Sequence, residues 1–391
     1  MKQLPKRILS IDVLRAITML LMIFVNDVAG VQHIPKWIEH TEADFDGMGF
    51  SDLIFPAFLF IVGLSLPFAI QGRIKKGNSY FQIITYIVLR ATALIVMGFF
   101  HVNMENYNES LAILSYPVFT IILTIGFFLI WLDYPEKLAK SIKYGLIVFG
   151  VLTVATMAWL YKGGSAENPK GLEPSWWGIL GIIGWAYLFA AITYLITGKK
   201  LIFLIVGFVV FAFINITSHM DMLHVDLWMI GDASSITLML GGAVIATCYS
   251  SIIGRGKDGL LWIVLGLSGI LAIVFGLLIR PYAGGISKIY STPAWVFICM
   301  GITILMFELL VYVVDFKDNK ILFNFIKPAG TSTLTCYLVP YLLYSILSLV
   351  DFNYPHVLNF GIGGMIRSAF IAILVIRIVA FMEKKGLRLS I

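Results

Sequence analysis

The sequence predicts an all-α, polytopic integral membrane protein of about twelve transmembrane helices with both termini cytoplasmic, and three observations predict it. First, 59% of the 391 residues are apolar and 13% are charged, against about 25% charged in soluble proteins, and the mean hydropathy is +0.92. Second, apolar runs of about 17 to 25 residues, long enough to cross roughly 30 Å of hydrocarbon, recur along the whole chain. Third, with the N-terminus placed in the cytoplasm, 19 of the 28 Lys and Arg residues fall in inner segments, 5 in outer loops and 4 inside apolar runs. That split follows the positive-inside rule. The formal charge of +6 is thereby accounted for by orientation in a lipid bilayer, and no nucleic-acid partner is expected.

In order, the expected spans are 9–30, 51–70, 80–102, 111–132, 142–161, 175–196, 201–217, 233–253, 259–279, 293–314, 328–350 and 360–382, with ten or eleven helices as the alternatives. The first is read as a retained helix rather than a signal peptide: it is long enough to span, has no small-residue cleavage site, and carries Asp12 and Arg15 at its start. The second opens on Ser51, Asp52 and Pro56. The seventh depends on the GKK break at 198–200 for its start. Cys248, Cys299 and Cys336 lie inside apolar segments without a CxxC pair, which makes them lipid-facing or packing residues. The two halves show no repeat and no soluble insertion, so 1–391 reads as a single transmembrane domain.

Chemistry concentrates at 37–56, WIEHTEADFDGMGFSDLIFP, in the first outer loop. His40 stands there among Glu39, Glu42, Asp44 and Asp46. A histidine titrates near neutral pH, and a carboxylate can orient it. By helical rise Asn26 sits about 27 Å beyond Ile8, at the outer boundary, so Asn26, His40 and Asp52 are expected at one level. The amide can donate to a developing oxyanion, the imidazole can take a proton, and Asp52 can hold its tautomer. Asp52 serves equally well as an N-cap for the second helix, with Pro56 in its first turn.

Charges inside apolar runs are functional candidates with structural pairing as the rival. Arg90, about ten residues into the third run, is either an ion-pair partner or the wall of a ligand tunnel. Asp12 with Arg15, and Glu308 with Arg377, are expected as ion pairs. His219, Asp221, His224 and Asp226 in the loop 217–232 fit no recognised ligand spacing, so a solvated polar loop and no metal are expected. Phosphate-binding Gly loops, HExxH and GxSxG are absent.

The opening of the chain resembles the heparan-α-glucosaminide N-acetyltransferase family and its bacterial relatives. Arg7, Ser10, Asp12 and Arg15 match the family's R-x-x-S-x-D-x-x-R helix start, Val25 and Asn26 its V-N helix end, and His40, Gly47 and DLIFPAFLF at 52–60 its loop histidine and following helix. Residues 7–70 carry the match. The resemblance implies a membrane acetyltransferase that moves acetyl from cytosolic acetyl-CoA to an amino-sugar or glycan acceptor on the outer, periplasmic side of a bacterial inner membrane. It makes His40 the catalytic base or acetyl carrier, with Asn26 beside it. If Arg90 lines a tunnel, the coenzyme arm would thread past it, and a homodimer is admitted. The chain departs from the family in the longer EADFD loop, in Gly181 and Ile182 where Gln and Arg are expected, in Ser332 where Asn is expected, and in 111–161, read as an inserted helix pair. The rival readings are a secondary transporter of a sugar or organic anion, and an accessory protein of glycan processing.

Overall fold

In hydrocarbon every backbone N–H and C=O must be satisfied within the protein, which leaves helices as the form available to apolar runs of this length. The computed structural model, which describes residues 8–391 except 199, 221, 223–227 and 320, obeys that rule. Its helices are α1 (Leu9–Val28), α2 (Ser51–Lys75), α3 (Tyr80–Met104), α4 (Tyr116–Trp131), α5 (Lys140–Leu160), α6 (Gly178–Thr197), α7 (Leu201–His219), α8 (Ser234–Gly254), α9 (Asp258–Ile279), α10 (Pro293–Leu310), α11 (Ile321–Asn324), α12 (Lys327–Thr331), α13 (Thr333–Leu349) and α14 (Gly361–Lys384). The strands among the described residues are β1 (Gly163–Gly164) and β2 (Pro169–Lys170), a small antiparallel hairpin between α5 and α6. Among the described residues ten helices are long and apolar enough to cross a membrane, and α4 and α13 are shorter apolar helices. The chain is an all-α polytopic integral membrane protein.

Two expected spans are modified. The run expected at 328–350 breaks at Ser332 (φ −126°, ψ 46°) into α12 and α13. The run expected at 293–314 leaves α10 through a π-helical turn, Val311–Phe316. That turn brings the Asp315 carboxylate to the start of α1, where it accepts from the Leu9 N–H (3.0 Å) and the Ser10 N–H (3.3 Å). It thus satisfies two of the N–H groups that every helix start leaves without an intrahelical acceptor.

The bundle is organised around α1 and α2. Helix α1 touches α2, α10, α12, α13 and α14, while α2 lies along α8. The α2–α8 contact is made backbone to backbone. A Cβ on Gly63 would sit 1.9 Å from the Met239 carbonyl oxygen, and one on Gly242 would sit 2.1 Å from that of Phe60. Small residues permit such approach where apolar burial gives no drive for helix association. Helices α5, α7 and α9 are largely exposed and form a lipid-facing rim, with α5 carried on α4 and α9 on α10.

One expected ion pair does not form. The Arg377 guanidinium stacks on Phe325, 5.1 Å from the ring centroid, while the Glu308 carboxylate lies against Gly266 of α9. Equal depth along two helices does not bring their side chains to the same face. Arg7, Lys2, Lys6, Lys199 and Lys320 lie outside the described residues, as do Asp221, His224 and Asp226.

Candidate active site

Asp52 is the second residue of α2 and is fully buried. Its Oδ2 accepts the Thr41 N–H (3.1 Å), the Thr41 hydroxyl (3.0 Å) and the Gly49 N–H (2.9 Å). With three donors on one oxygen the carboxylate acts purely as an acceptor, so the His40 Nδ1–H donates to Oδ1, at 2.6 Å. This fixes the neutral ring as the tautomer with a bare Nε2. The N-cap position of α2 is Phe50 and carries no side-chain cap, so Asp52, inside the first turn, does not cap the helix but gathers the preceding loop onto it. The chain reaches this geometry because the residues before α2 fold back on it. The Phe50 N–H binds the Trp37 carbonyl (2.7 Å), the Ser51 N–H binds that of Ile38 (3.2 Å), and the Ser51 hydroxyl also donates to Ile38. Gly49 is required here, since a Cβ would lie 1.9 Å from the Glu39 carbonyl oxygen.

The acidic loop docks on a second loop, 280–292, that sequence reading had not connected to it. Asp46 accepts from Arg280 Nε (3.0 and 2.9 Å) and from the Ile286 N–H (2.7 Å). Ser287 donates to the Ala43 carbonyl (2.9 Å), Tyr290 donates to Asp44 (3.0 Å), and the Trp295 indole donates to the Asp52 carbonyl (3.1 Å). The Ile286 N–H holds the Asp46 carboxyl below the usual carboxylate range; slight desolvation opposes it and Arg280 adds to it. Two members of the EADFD segment, Asp44 and Asp46, are therefore engaged in joining loops. The docking delivers Lys288 to the dyad: its Nζ lies 3.0 Å from His40 Nδ1, 3.4 Å from Nε2 and 3.9 Å from Asp52 Oδ1. Its only sequence signal was that Lys288 and Arg280 are two of the five basic residues on a face otherwise poor in them.

His219 braces the same turn from the end of α7. Its ring nitrogens meet the carbonyls of Asn215 (2.8 Å) and Tyr290 (2.7 Å). Among the described residues no group of three or more His, Cys, Asp and Glu is arranged to hold a metal ion.

Asn26 is exposed and makes no hydrogen bond to His40 or Asp52 among the described contacts. It lines a cavity of about 340 Å³ together with Met19, Ile23, Tyr337, Tyr341 and Tyr344. A larger cavity of about 660 Å³ shares Met19 and Tyr337 with it and runs along α1 toward Ile8. Arg15 and Arg90 both line this larger space, beside Ser65, Tyr187 and the broken α12–α13 segment at Ser332. Arg15 contacts Asp12 (3.6 Å), as expected, and also donates to Ser65 and to the Gly330 carbonyl (3.3 Å). Arg90 donates to the Tyr86 hydroxyl (3.0 Å) and the Ile391 carbonyl (3.3 Å), while its buried Nε has no partner. Arg90 thus stands on the cavity wall, held there by Tyr86 and Ile391.

Next to Asn26, a network that sequence reading missed ties α1 to α13 and α14. The buried Asp27 accepts from Tyr344 (2.5 Å), Ser368 (2.5 Å) and Arg367 (3.2 Å). The signal was available: Arg367 inside an apolar run calls for a carboxylate at the same level.

A family profile described as "Domain of unknown function (DUF5009)" matches residues 7–227. Heparan-alpha-glucosaminide N-acetyltransferase of Homo sapiens is 36% identical over 104 residues, 27% of this chain and 15% of that protein. The same-named protein of Mus musculus is 32% identical over 101 residues, 26% of this chain and 14% of that protein. The likeness thus spans a small share of those relatives' length. On the extent of the profile match, the chain belongs to the DUF5009 family and bears a partial relationship to heparan-alpha-glucosaminide N-acetyltransferase.

Proposed function

We propose that the protein is a transmembrane acetyltransferase, taking acetyl from cytosolic acetyl-CoA and passing it to an amino-sugar or glycan acceptor at the His40 face. The observation that carries this reading is the pairing of an oriented His40–Asp52 dyad at one face with an arginine-lined cavity reached from the other. Phe58, at the top of that cavity on α2, is six residues below Asp52, about 9 Å of helical rise. The likeness to an N-acetyltransferase supports the same reaction class.

The residues present suit the coenzyme arm. A cavity of about 660 Å³ lies within the usual range of roughly 300–1,000 Å³ for ligand sites, and the unpartnered Arg90 Nε supplies a donor for a carbonyl or phosphate oxygen. Arg90 and Arg15 would hold the arm, and Asn26 in the adjoining cavity would offer its amide to the acyl carbonyl. At its own face, His40 Nε2 would take the proton from the acceptor as it attacks the acetyl carbon, or itself carry the acetyl group. Asp52 stabilises the resulting imidazolium, a contribution of about 10²–10⁴-fold. Holding both substrates in register supplies much of the remainder. The reading has both termini in the cytoplasm, a bacterial inner-membrane location, one transmembrane unit with α4–α5 added at its rim, and room for a homodimer.

Purified protein incubated with radiolabelled acetyl-CoA and a panel of amino sugars is expected to release coenzyme thiol and label the acceptor, with His40→Ala reduced at least 100-fold. Wild-type release no faster than that of the mutant with every acceptor would overturn the reading. The break at Ser332 in the cavity wall favours a second reading, a transporter with its site on an interrupted helix. Counterflow of labelled sugar or organic anion in coenzyme-free proteoliposomes would support the transporter and count against the enzyme.

A further inference from the structure

The transfer proposed above creates negative charge on the acyl oxygen, and that charge needs a donor beside His40 itself. Asn26 lies in a different cavity. The loop 280–292, beyond the matched family region, provides a donor there, in addition to the Asn26 amide offered from the adjoining cavity.

Lys288 is built into its place. Its side chain is 24% exposed, and it sits in a tight turn closed by the Ser287 N–H on the Thr292 hydroxyl (3.0 Å) and the Thr292 N–H on the Ser287 carbonyl (3.1 Å). Yet its ammonium has no aligned acceptor in the dyad. Nδ1 already donates to Asp52, and Asp52 Oδ1 at 3.9 Å is beyond hydrogen-bond distance. Nζ lies 3.0 Å and 3.4 Å from the two ring nitrogens. A point nearly equidistant from both is off the axis of the Nε2 lone pair, which points away from Nδ1 in the ring plane. A largely buried lysine side chain therefore sets its ammonium against both ring nitrogens of the imidazole, within reach of an oxygen held beside Nε2.

We propose that Lys288 is an oxyanion donor of the acyl transfer, on the His40 side of the acyl oxygen. The assignment rests on His40 acting at the acyl carbon. The acceptor's lone pair attacks the acetyl carbon, the carbonyl π pair moves to oxygen, and that oxygen accepts an N–H from Lys288 while the acceptor's proton passes to His40 Nε2. Collapse re-forms the carbonyl, breaks the carbon–sulfur bond, and returns the proton from His40 to the leaving thiolate. Products are the acetylated acceptor and free coenzyme thiol. The position is electrostatically consistent, because the oxyanion neutralises Lys288 at the moment the adjacent imidazole becomes charged. Burial pushes the Lys288 ammonium below the ordinary lysine range, with Asp52 pulling the other way. This makes it a stronger donor. The charged and titratable groups around it are His40, Asp44 and Asp46 from the acidic loop, Asp52 from α2, and Arg280 and Tyr290 from its own loop.

The test compares wild type, His40→Ala, Lys288→Met, Lys288→Arg and Lys288→Ala in acetyl-CoA turnover with D-glucosamine and the amino-sugar panel as acceptors, with melting temperature as the folding control. Lys288→Met is expected to lose about 10²–10³ in kcat with both KM values within about threefold, at an unchanged melting temperature. Lys288→Arg should recover part of the rate, and its alkaline limb in kcat should move to higher pH. Ethylammonium should restore Lys288→Ala, an effect that a bracing role would not give. Lys288→Met turning over within threefold of wild type, while His40→Ala is dead, overturns the Lys288 assignment alone. So does loss of rate without ethylammonium rescue and without any shift of the alkaline limb. A wild-type protein that releases no thiol, or an active His40→Ala, overturns the function and this assignment with it.

Discussion

The two faces of the bundle handle charge in opposite ways. At the His40 face, Asp44, Asp46 and Asp52 meet named donors from two loops, and the dyad is set by hydrogen bonds of 2.6–3.1 Å before any ligand arrives. Toward the opposite face, Arg15 and Arg90 line an open cavity with mostly neutral partners, and Arg90 keeps a buried donor unmet. The first arrangement is what proton transfer needs, since reorganisation is done in advance. The second suits binding, because a cation with spare donors gains most when an anion or carbonyl enters. The two regions therefore predict different kinetic signatures, in kcat at one face and in KM at the other.

The largest expected effect belongs to the preformed face. Asp52→Asn keeps the shape but places an NH2 where only acceptors fit, facing either the His40 Nδ1–H or the donors of Thr41 and Gly49. The expected loss is about 10²–10⁴ in kcat, read by coenzyme release; full activity would remove Asp52 from the mechanism. Next comes the open face. Arg90→Met and Arg15→Met should each raise KM for acetyl-CoA about 10- to 100-fold, as expected for a charged hydrogen bond of roughly 1.5–3 kcal/mol, while kcat changes little. A kcat effect without a KM effect would erase the distinction between the two faces.

Smaller still is the seam between the loops. Arg280 and Asp46 are 41% and 51% exposed, so solvent screening limits their pair, and Asp46→Ala should cost about 1 kcal/mol. That corresponds to a several-fold loss of activity through looser placement of Lys288, visible as faster hydrogen exchange across 280–292. The smallest effect is the pH response of that seam. The Asp46 carboxyl is held below its ordinary value, so its contribution is fully present above the unfolded value of about 3.9 and is lost as pH falls through the lower folded value. Exchange protection of 280–292, corrected for intrinsic rates, should thus be flat from about pH 5 to 8 and weaken only in acid. Asp46→Asn should remove that dependence.

Most of the fold was legible because hydrophobic length and backbone satisfaction are local. Among the described residues, ten of the twelve expected runs are helices long enough to span, and the runs at 111–132 and 328–350 hold the shorter helices α4 and α13. The exceptions, the break at Ser332 and the π turn at Val311–Phe316, arise where a cavity wall and the start of α1 impose their own geometry. The His40–Asp52 pair was legible too, being twelve residues apart across one loop.

The amino-acid sequence by itself determined the membrane class, the succession of helices, the basic asymmetry between faces and the dyad, since each depends on residues close along the chain or on composition. Only the tertiary structure decided what lies against that dyad. Lys288 is 248 residues from His40, Asp27 finds Arg367 across 340, and Glu308 and Arg377 share a depth without sharing a face. Depth along a helix follows from counting residues, whereas which helix faces which follows from packing, here from contacts such as the glycine seam between α2 and α8 that bring backbones together.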